Sequence, residues 1–341
     1  MNVTVLTTGG TIASTAGDRG AEPTKGGRDL LEAVPELETH AEIAVEEVAR
    51  VPSYEMDAET LETIGDRVRA LEEEPSVDAV VLTHGTDTME ETAYVLDATV
   101  QPDVPVVLTG AQRRPDEVGA DGPSNLLTAV HACEAFHDAD ASAGGTYVAF
   151  DEEIHAARAV TKVHASKLDA FRSVGCGPVA SVDRDGVVVH RRPRSETVRI
   201  PVDPSNSPLE PTVYTVKSGS CVDGELVEAA LERGADGIVV EGTGLGNATA
   251  GIGAAVERAI DEGVPVVAAS RCLEGRTTAV YGGEGGGRTL LERGATFAGD
   301  LPAQKARLKL ALALSAYEDR STIREVFEDR STVHEAFEGE E

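Results

Sequence analysis

The sequence contains no tryptophan, only six lysines among its 341 residues, and four widely spaced cysteines. The cysteines form no C-x-x-C pair, which argues against both a disulfide-stapled scaffold and a zinc site. No apolar run approaches the roughly 20 residues of a membrane helix, and the N-terminus lacks the basic segment and cleavage site of a signal peptide. These absences predict a soluble, cytoplasmic protein without a membrane partner.

Positive charge is also scarce. Thirty Lys and Arg residues face 60 Asp and Glu residues, and the formal net charge is −30. A negative field of this size repels phosphate backbones, so we expect no nucleic-acid partner. Because like charges destabilise a compact chain unless salt screens them, the composition favours a halophilic protein. An ordinary soluble acidic protein is the alternative.

Short apolar runs alternate with helical stretches along most of the chain, as in parallel α/β sheets. We predict an α/β fold with a larger N-terminal parallel-sheet domain at 1–190 and a smaller C-terminal α/β domain at 212–317. A linker rich in Pro, Ser and Arg at 191–211 joins them. Strands are predicted at 2–6, 43–49, 77–82, 104–108, 146–150, 212–216, 237–240 and 264–269, a hairpin at 181–189, and helices at 58–73, 89–98, 124–136, 224–233, 250–262 and 302–317.

The chain ends in an acidic tail at 318–341 that contains a tandem duplication. Residues 318–327 (EDRSTIREVF) are followed by 328–337 (EDRSTVHEAF). Each copy has Ser and Thr ahead of Glu, as in a capping box, which predicts short amphipathic helices. These helices fit either a subunit contact or a solvated appendage.

Four loops that combine threonine with glycine follow predicted strands. They are residues 7–11 (TTGGT), 83–87 (THGTD), 109–113 (TGAQR) and 241–247 (EGTGLGN). Ligands bind at the carboxyl ends of strands in open parallel sheets, where glycine permits close approach and threonine supplies a hydroxyl. Each loop alone also fits a structural turn. The fourth resembles a dinucleotide fingerprint with its third glycine displaced, so we expect no nucleotide cofactor.

The sequence offers little conventional nucleophilic machinery. It has no G-x-S-x-G elbow, no H-E-x-x-H and no cluster of metal ligands, which argues against a serine hydrolase or a metalloenzyme. What remains is threonine chemistry with the carboxylate of Asp87 and a scarce lysine, Lys162. On its own, Lys162 also fits an ordinary surface residue.

Two of these motifs together resemble a known family. Residues 8–13 (TGGTIA) and 84–92 (HGTDTMEET) are similar to the bacterial- and archaeal-type L-asparaginases, and 109–113 and 120–126 (ADGPSNL) match further family segments. The similarity extends to about residue 317. It implies hydrolysis of the L-asparagine side-chain amide to L-aspartate and ammonia, without cofactor or metal, by a homodimer or homotetramer.

The resemblance also implies the catalytic residues. Thr11 would attack the amide and form an acyl-enzyme, and Thr86, Asp87 and Lys162 would form a second catalytic group. A threonine hydroxyl needs a base to become a nucleophile, and a lysine with a pKa lowered by burial can serve. The backbone N–H of Thr86 is a candidate oxyanion donor. The order in which the two threonines act stays open.

Substrate-binding residues follow from the same resemblance. Ser53 and Tyr54 would contact substrate, Ser53 as a donor to its α-carboxylate, and Asp87 would also face its α-ammonium. The carbonyl of Ala111 would accept from the leaving amide nitrogen, and Asn247 would reach the site of a neighbouring subunit. Alternatively, Ser53 is a turn residue and Asn247 a helix N-cap.

Residues 17–28 (GDRGAEPTKGGR) depart from the family pattern. The family's mobile loop usually carries a tyrosine that hydrogen-bonds the nucleophile, but no tyrosine lies between Thr11 and Ser53. Either another residue replaces this tyrosine, with Tyr281 and Thr24 as candidates, or the loop works differently.

Two other functions remain to be compared. The ammonia-generating subunit of a Glu-tRNA amidotransferase shares these motifs but has an extra N-terminal domain, for which the position of the first motif leaves no room. A non-catalytic amino-acid-binding module would not need Lys162 buried beside two threonines.

Asparagine and glutamine differ by one methylene, worth only roughly 1–3 kcal/mol of discrimination, so the preference between them is not predicted.

Overall fold

The computed structural model describes residues 1–17, 20–23, 26–138, 144–195, 197–202 and 209–328. The chain divides into two compact units, Met1–Arg199 and Ile200–Glu341. Among the described residues, none of the helices has the length and apolar character needed to cross a membrane.

The N-terminal unit contains twelve strands and four α-helices within its described residues. The strands are β1 (Asn2–Thr7), β2 (Ser14–Gly17), β3 (Gly20–Pro23), β4 (Glu42–Glu47), β5 (Ala79–Thr83), β6 (Pro105–Thr109), β7 (Gly145–Phe150), β8 (Glu153–Ala156), β9 (Val160–Lys162), β10 (Phe171–Ser173), β11 (Ala180–Asp183) and β12 (Gly186–Val189). The helices are α1 (Gly27–Glu32), α2 (Ala58–Glu72), α3 (Met89–Thr99) and α4 (Gly122–His137), with 3₁₀ turns at Thr11–Ala13, Pro35–Thr39 and Ser53–Glu55.

Eight of these strands form one sheet in the order β12-β11-β8-β7-β6-β5-β1-β4. The five strands from β7 to β4 pair in parallel, and β8, β11 and β12 extend one edge as antiparallel strands. The hairpin predicted at 181–189 is β11 and β12. The larger, mainly parallel sheet expected for the N-terminal half is therefore present.

Both faces of this sheet are covered, which explains why its central strands are uniformly apolar. On β5, Val81 packs on one face with Ala129 and Cys133 of α4. Its neighbours Val80 and Leu82 pack on the other face with residues of α2 and α3, which include Ile64, Val68, Met89 and Leu96. This two-sided packing fixes the strand ends, and with them the loops that follow.

The C-terminal unit is a smaller α/β structure. Its strands are β13 (Val213–Lys217), β14 (Gly237–Gly242), β15 (Val266–Ser270) and β16 (Thr296–Phe297), and its helices are α5 (Glu225–Glu232), α6 (Ala250–Asp261), α7 (Gly287–Arg293), α8 (Ala303–Ala316) and α9 (Arg320–Glu328). The four strands pair in parallel in chain order. The expected second α/β domain is thus observed.

The first copy of the duplication forms α9. Its residues Ile323, Val326 and Phe327 are buried, and the Phe327 ring lies 4.9 Å from the Lys309 ammonium of α8. This copy is therefore not the solvated appendage that was one alternative. The helix is capped by Asp319, which accepts from the Thr322 N–H, and not by the predicted Ser and Thr. The second copy, apart from its first residue, lies outside the described residues.

Candidate active site

Three of the four threonine-glycine loops follow adjacent strands, β1, β5 and β6, and pack against each other through glycine. Gly10 has φ +81°, and a Cβ built on it would lie 2.5 Å from the Gly85 nitrogen. A Cβ on Gly85 would in turn lie 2.5 Å from the Ser53 Oγ. Only glycine allows this close approach, so the 8–13 and 84–92 motifs are in direct contact.

Lys162 joins the 84–92 motif from the end of β9. Its Nζ donates to Thr86 Oγ1 at 2.8 Å and to Asp87 Oδ1 at 2.7 Å. Its backbone N–H donates to the buried carboxylate of Glu90 at 3.3 Å. The Lys162 side chain is only 14% exposed, so it is not the free surface lysine that its sequence alone allowed. A lysine amine that touches a threonine hydroxyl can exchange a proton with it.

Thr11 begins the 3₁₀ turn Thr11–Ala13. The Gly10 carbonyl fixes this turn, because it accepts from the Ser14 hydroxyl at 2.7 Å and from the Ala13 N–H at 3.1 Å. Within the described part of the chain, neither the Thr11 hydroxyl nor the Thr86 N–H has a hydrogen-bond partner. A hydroxyl and a backbone N–H donor are thus both available to a ligand.

Ser53 is buried and anchors the 84–92 loop. Its Oγ accepts from the Asp87 N–H at 3.2 Å, and its carbonyl accepts from the Thr88 hydroxyl at 2.6 Å. Ser53 is therefore more than a turn residue, and its own O–H remains a donor. The neighbouring Tyr54 is exposed, and Ala111 of the third loop is buried.

The loop after β6 is held by two residues of the 120–126 motif whose role the sequence did not reveal. The Asp121 carboxylate accepts from the N–H groups of Gln112 and Arg113 at 3.0 and 2.8 Å. Asn125 donates its side-chain amide to the Gly110 carbonyl at 3.0 Å. The only sign of this role in the sequence was that the 120–126 motif follows the 109–113 loop closely and carries two side chains able to bind backbone amide groups.

The remaining candidates lie elsewhere in the chain. Asn247 belongs to the C-terminal unit, where its Oδ1 accepts from the Gly287 N–H at the start of α7 at 3.0 Å. The residue that caps α6 is Thr249, so the N-cap alternative for Asn247 was wrong for that helix. Tyr281 is an exposed residue of the same unit. Thr24 lies outside the described residues.

In the part of the chain that the structure describes, no group of three or more His, Cys, Asp or Glu side chains is arranged to hold a metal ion. The polar groups of the site are hydroxyls, one amine, carboxylates and backbone N–H groups. This set suits an amino acid with an ammonium, a carboxylate and a polarised carbonyl.

Comparison with known proteins shows the family to which the chain belongs. The family model described as "Asparaginase, N-terminal" matches residues 2–195, and that of the "Glutaminase/Asparaginase C-terminal domain" matches residues 212–327. The chain belongs to the asparaginase family. The family predicted from the 8–13 and 84–92 motifs is thereby confirmed.

Individual relatives match over nearly the whole chain. An L-asparaginase of Bacillus licheniformis is 36% identical over 320 residues, which are 93% of this chain and 96% of that protein. A component of the glutamyl-tRNA(Gln) amidotransferase of Methanosphaera stadtmanae is 32% identical over 334 residues, which are 95% of this chain and 74% of that protein. The crystal structure of a probable cytoplasmic L-asparaginase from Campylobacter jejuni has a TM-score of 0.85 at 33% identity and covers 96% of this chain and 99% of that one.

Proposed function

We propose that this asparaginase-family chain is an L-asparaginase, an amidohydrolase that converts L-asparagine to L-aspartate and ammonia. The observation that carries the proposal is the contact of Lys162 with both Thr86 and Asp87. Relatives named L-asparaginase that align along nearly the entire chain support it further.

In this mechanism the Thr11 hydroxyl attacks the side-chain carbonyl carbon of asparagine. The Thr86 N–H donates to the oxygen that becomes negative. Collapse of the tetrahedral intermediate breaks the C–N bond while the leaving nitrogen takes up the proton that came from Thr11, which releases ammonia and leaves an aspartyl ester on Thr11. Water then hydrolyses the ester and restores the threonine.

Lys162 supplies the base. Its amine takes a proton from the Thr86 hydroxyl, which passes on the proton of the attacking group. Asp87 orients the amine through Oδ1. Because Asp87 is 55% exposed, its other oxygen is left for the substrate's α-ammonium.

The remaining contacts bind the amino acid. Ser53 donates its O–H to the α-carboxylate, with Tyr54 beside it, and the Ala111 carbonyl accepts from the leaving amide nitrogen. Since Asn247 uses its Oδ1 within its own unit, its side-chain N–H groups are the ones offered to the site of a neighbouring subunit. The active form is then a homodimer or homotetramer.

Two environmental properties belong to the same proposal. The net charge of −30 supports a halophilic enzyme. A structural neighbour described as probably cytoplasmic supports a cytoplasmic location, although a relative from Haemophilus influenzae is named as a probable periplasmic L-asparaginase.

A second candidate function is generation of ammonia within an amidotransferase. The similarity to components of glutamyl-tRNA(Gln) amidotransferases favours it. A protein with this function would pass its ammonia to glutamyl-tRNA(Gln), so the fate of the released ammonia separates the two functions.

Ammonia release from asparagine and from glutamine, measured in parallel in molar KCl, tests the proposal. We expect release from asparagine, and a loss of about 10²–10⁴-fold in Lys162→Met because the base is gone. Lys217→Met is the matched control, since Lys217 is an exposed lysine of the other unit paired with Glu241. The proposal fails if the wild type releases ammonia from neither substrate, or if Lys162→Met and Lys217→Met are equally active.

A further inference from the structure

His84 is the one buried histidine in the threonine-glycine loops, and the mechanism above does not use it. It follows β5 directly and is fully buried. Its Nδ1 lies 2.7 Å from the Gly85 carbonyl oxygen, and its Nε2 lies 2.9 Å from the Thr92 hydroxyl. Because a carbonyl can only accept, Nδ1 carries the hydrogen, and Nε2 then accepts from Thr92. Burial lowers the pKa of His84 to about 4, so the ring is neutral near pH 7.

The Gly85 carbonyl and the Thr86 N–H are two ends of one planar peptide unit and point to opposite sides of it. A hydrogen bond to the Gly85 oxygen therefore fixes the rotation of this peptide, and with it the direction of the Thr86 N–H. That N–H has no partner in the described part of the chain. The same bond draws charge toward the oxygen and strengthens the N–H as a donor.

Gly85 has no side chain to restrict the backbone dihedral angles beside this peptide. Its backbone packs against Gly10 on one side and Ser53 on the other. The buried ring, through its Nδ1, supplies the restraint that a side chain at position 85 cannot.

We propose that His84 is a positioning residue that aims the Thr86 N–H at the carbonyl oxygen of the bound amide, where negative charge develops during attack. This inference rests on the proposed function. It assigns His84 no contact with substrate. A histidine that merely fills the core would affect folding and leave turnover per folded molecule unchanged.

Two variants at position 84 separate these roles. In His84→Asn the side-chain N–H stands near the place of Nδ1 and keeps the donor to Gly85. In His84→Gln the amide reaches the place of Nε2 and keeps a partner for Thr92 but loses that donor. Thr92→Val is the matched control, since it removes the hydroxyl at the far end of the ring and leaves Nδ1 in place.

The experiment measures kcat and KM for asparagine, together with the melting temperature, in all three variants and the wild type. We expect kcat to fall about 10²-fold or more in His84→Gln, the size of a lost or misdirected oxyanion donor, with little change in KM. We expect His84→Asn to restore most of this loss and Thr92→Val to change mainly the melting temperature. Equal kcat in His84→Gln and His84→Asn, measured on folded protein, would overturn the inference while the wild type remains active. An inactive wild type would overturn the proposed function and this inference with it.

Discussion

The contact between Gly10 and Gly85 gives a prediction about how closely two loops must approach. In Gly10→Ala the new Cβ would lie 2.5 Å from the Gly85 nitrogen, whereas ordinary contacts begin at 3.4 Å. The loops must therefore separate by about 1 Å, a displacement that can cost roughly 10²-fold in rate. The backbone at φ +81° and ψ −179° adds about 1–3 kcal/mol of strain, because this region is essentially restricted to glycine.

A matched variant separates the contact from the backbone strain. Gly186, in the β11–β12 hairpin, also has a positive φ, +119°, but a Cβ there would meet nothing within 4 Å. We expect Gly186→Ala to lower stability toward urea and to leave kcat unchanged. We expect Gly10→Ala to lower both, with kcat for ammonia release about 100-fold below the wild type. Wild-type kcat in Gly10→Ala, or an equal fall in Gly186→Ala, would refute the reasoning.

Three further predictions concern acid stability, subunit contact and salt. The pKa of His84 lies near 4 in the folded chain and near 6.5 when unfolded, so the unfolded chain binds the extra proton as pH falls. Stability of the N-terminal unit is thus lost progressively below pH 6.5, by about 3 kcal/mol at pH 4. Hydrogen exchange of β5 peptides should show this loss of stability on acidification of the wild type. In His84→Asn, which has no histidine to protonate at position 84, the loss of stability on acidification should be smaller by about 3 kcal/mol. Asn247→Asp keeps the acceptor for Gly287 and removes the side-chain N–H donors, so KM should rise without loss of stability. Asn247→Ala loses both the acceptor and the donors. If KM rises in Asn247→Ala but not in Asn247→Asp, Asn247 is purely structural. Because about 30 negative charges repel each other when salt is dilute, the melting temperature should rise between low and multimolar KCl. An unchanged melt would contradict a halophilic protein.

Much of the fold followed from the periodicity of apolar residues. Strands such as β5 and β6, buried on both faces, appear as short continuous apolar runs, and their observed bounds lie within two residues of those predicted. The short elements β8, β9, β10 and α7 were not predicted. They depend on pairing between distant segments or on glycine-rich surroundings, which leave no local periodicity.

The candidate site was predictable only in part. Threonine-glycine loops after parallel strands indicated where a ligand would bind, and the family resemblance implied Thr11, Thr86 and Lys162. The contacts of Asp121 and His84 with backbone groups were not predictable, because each depends on which backbone group lies opposite a buried polar side chain. Such pairings exist only once separate loops have packed together.

The central claim is that Thr86 and Lys162 act as one unit in amide hydrolysis. The most direct measurement is a double-mutant cycle of kcat for ammonia release from asparagine, using Thr86→Val, Lys162→Met and the combined variant. Val and Met keep the approximate size of the side chains they replace, and circular dichroism should show all three variants folded. The account predicts that the combined variant is little worse than either single one, because groups that act together lose nearly everything with the first deletion. Losses that multiply, or substantial turnover in Lys162→Met, would contradict it.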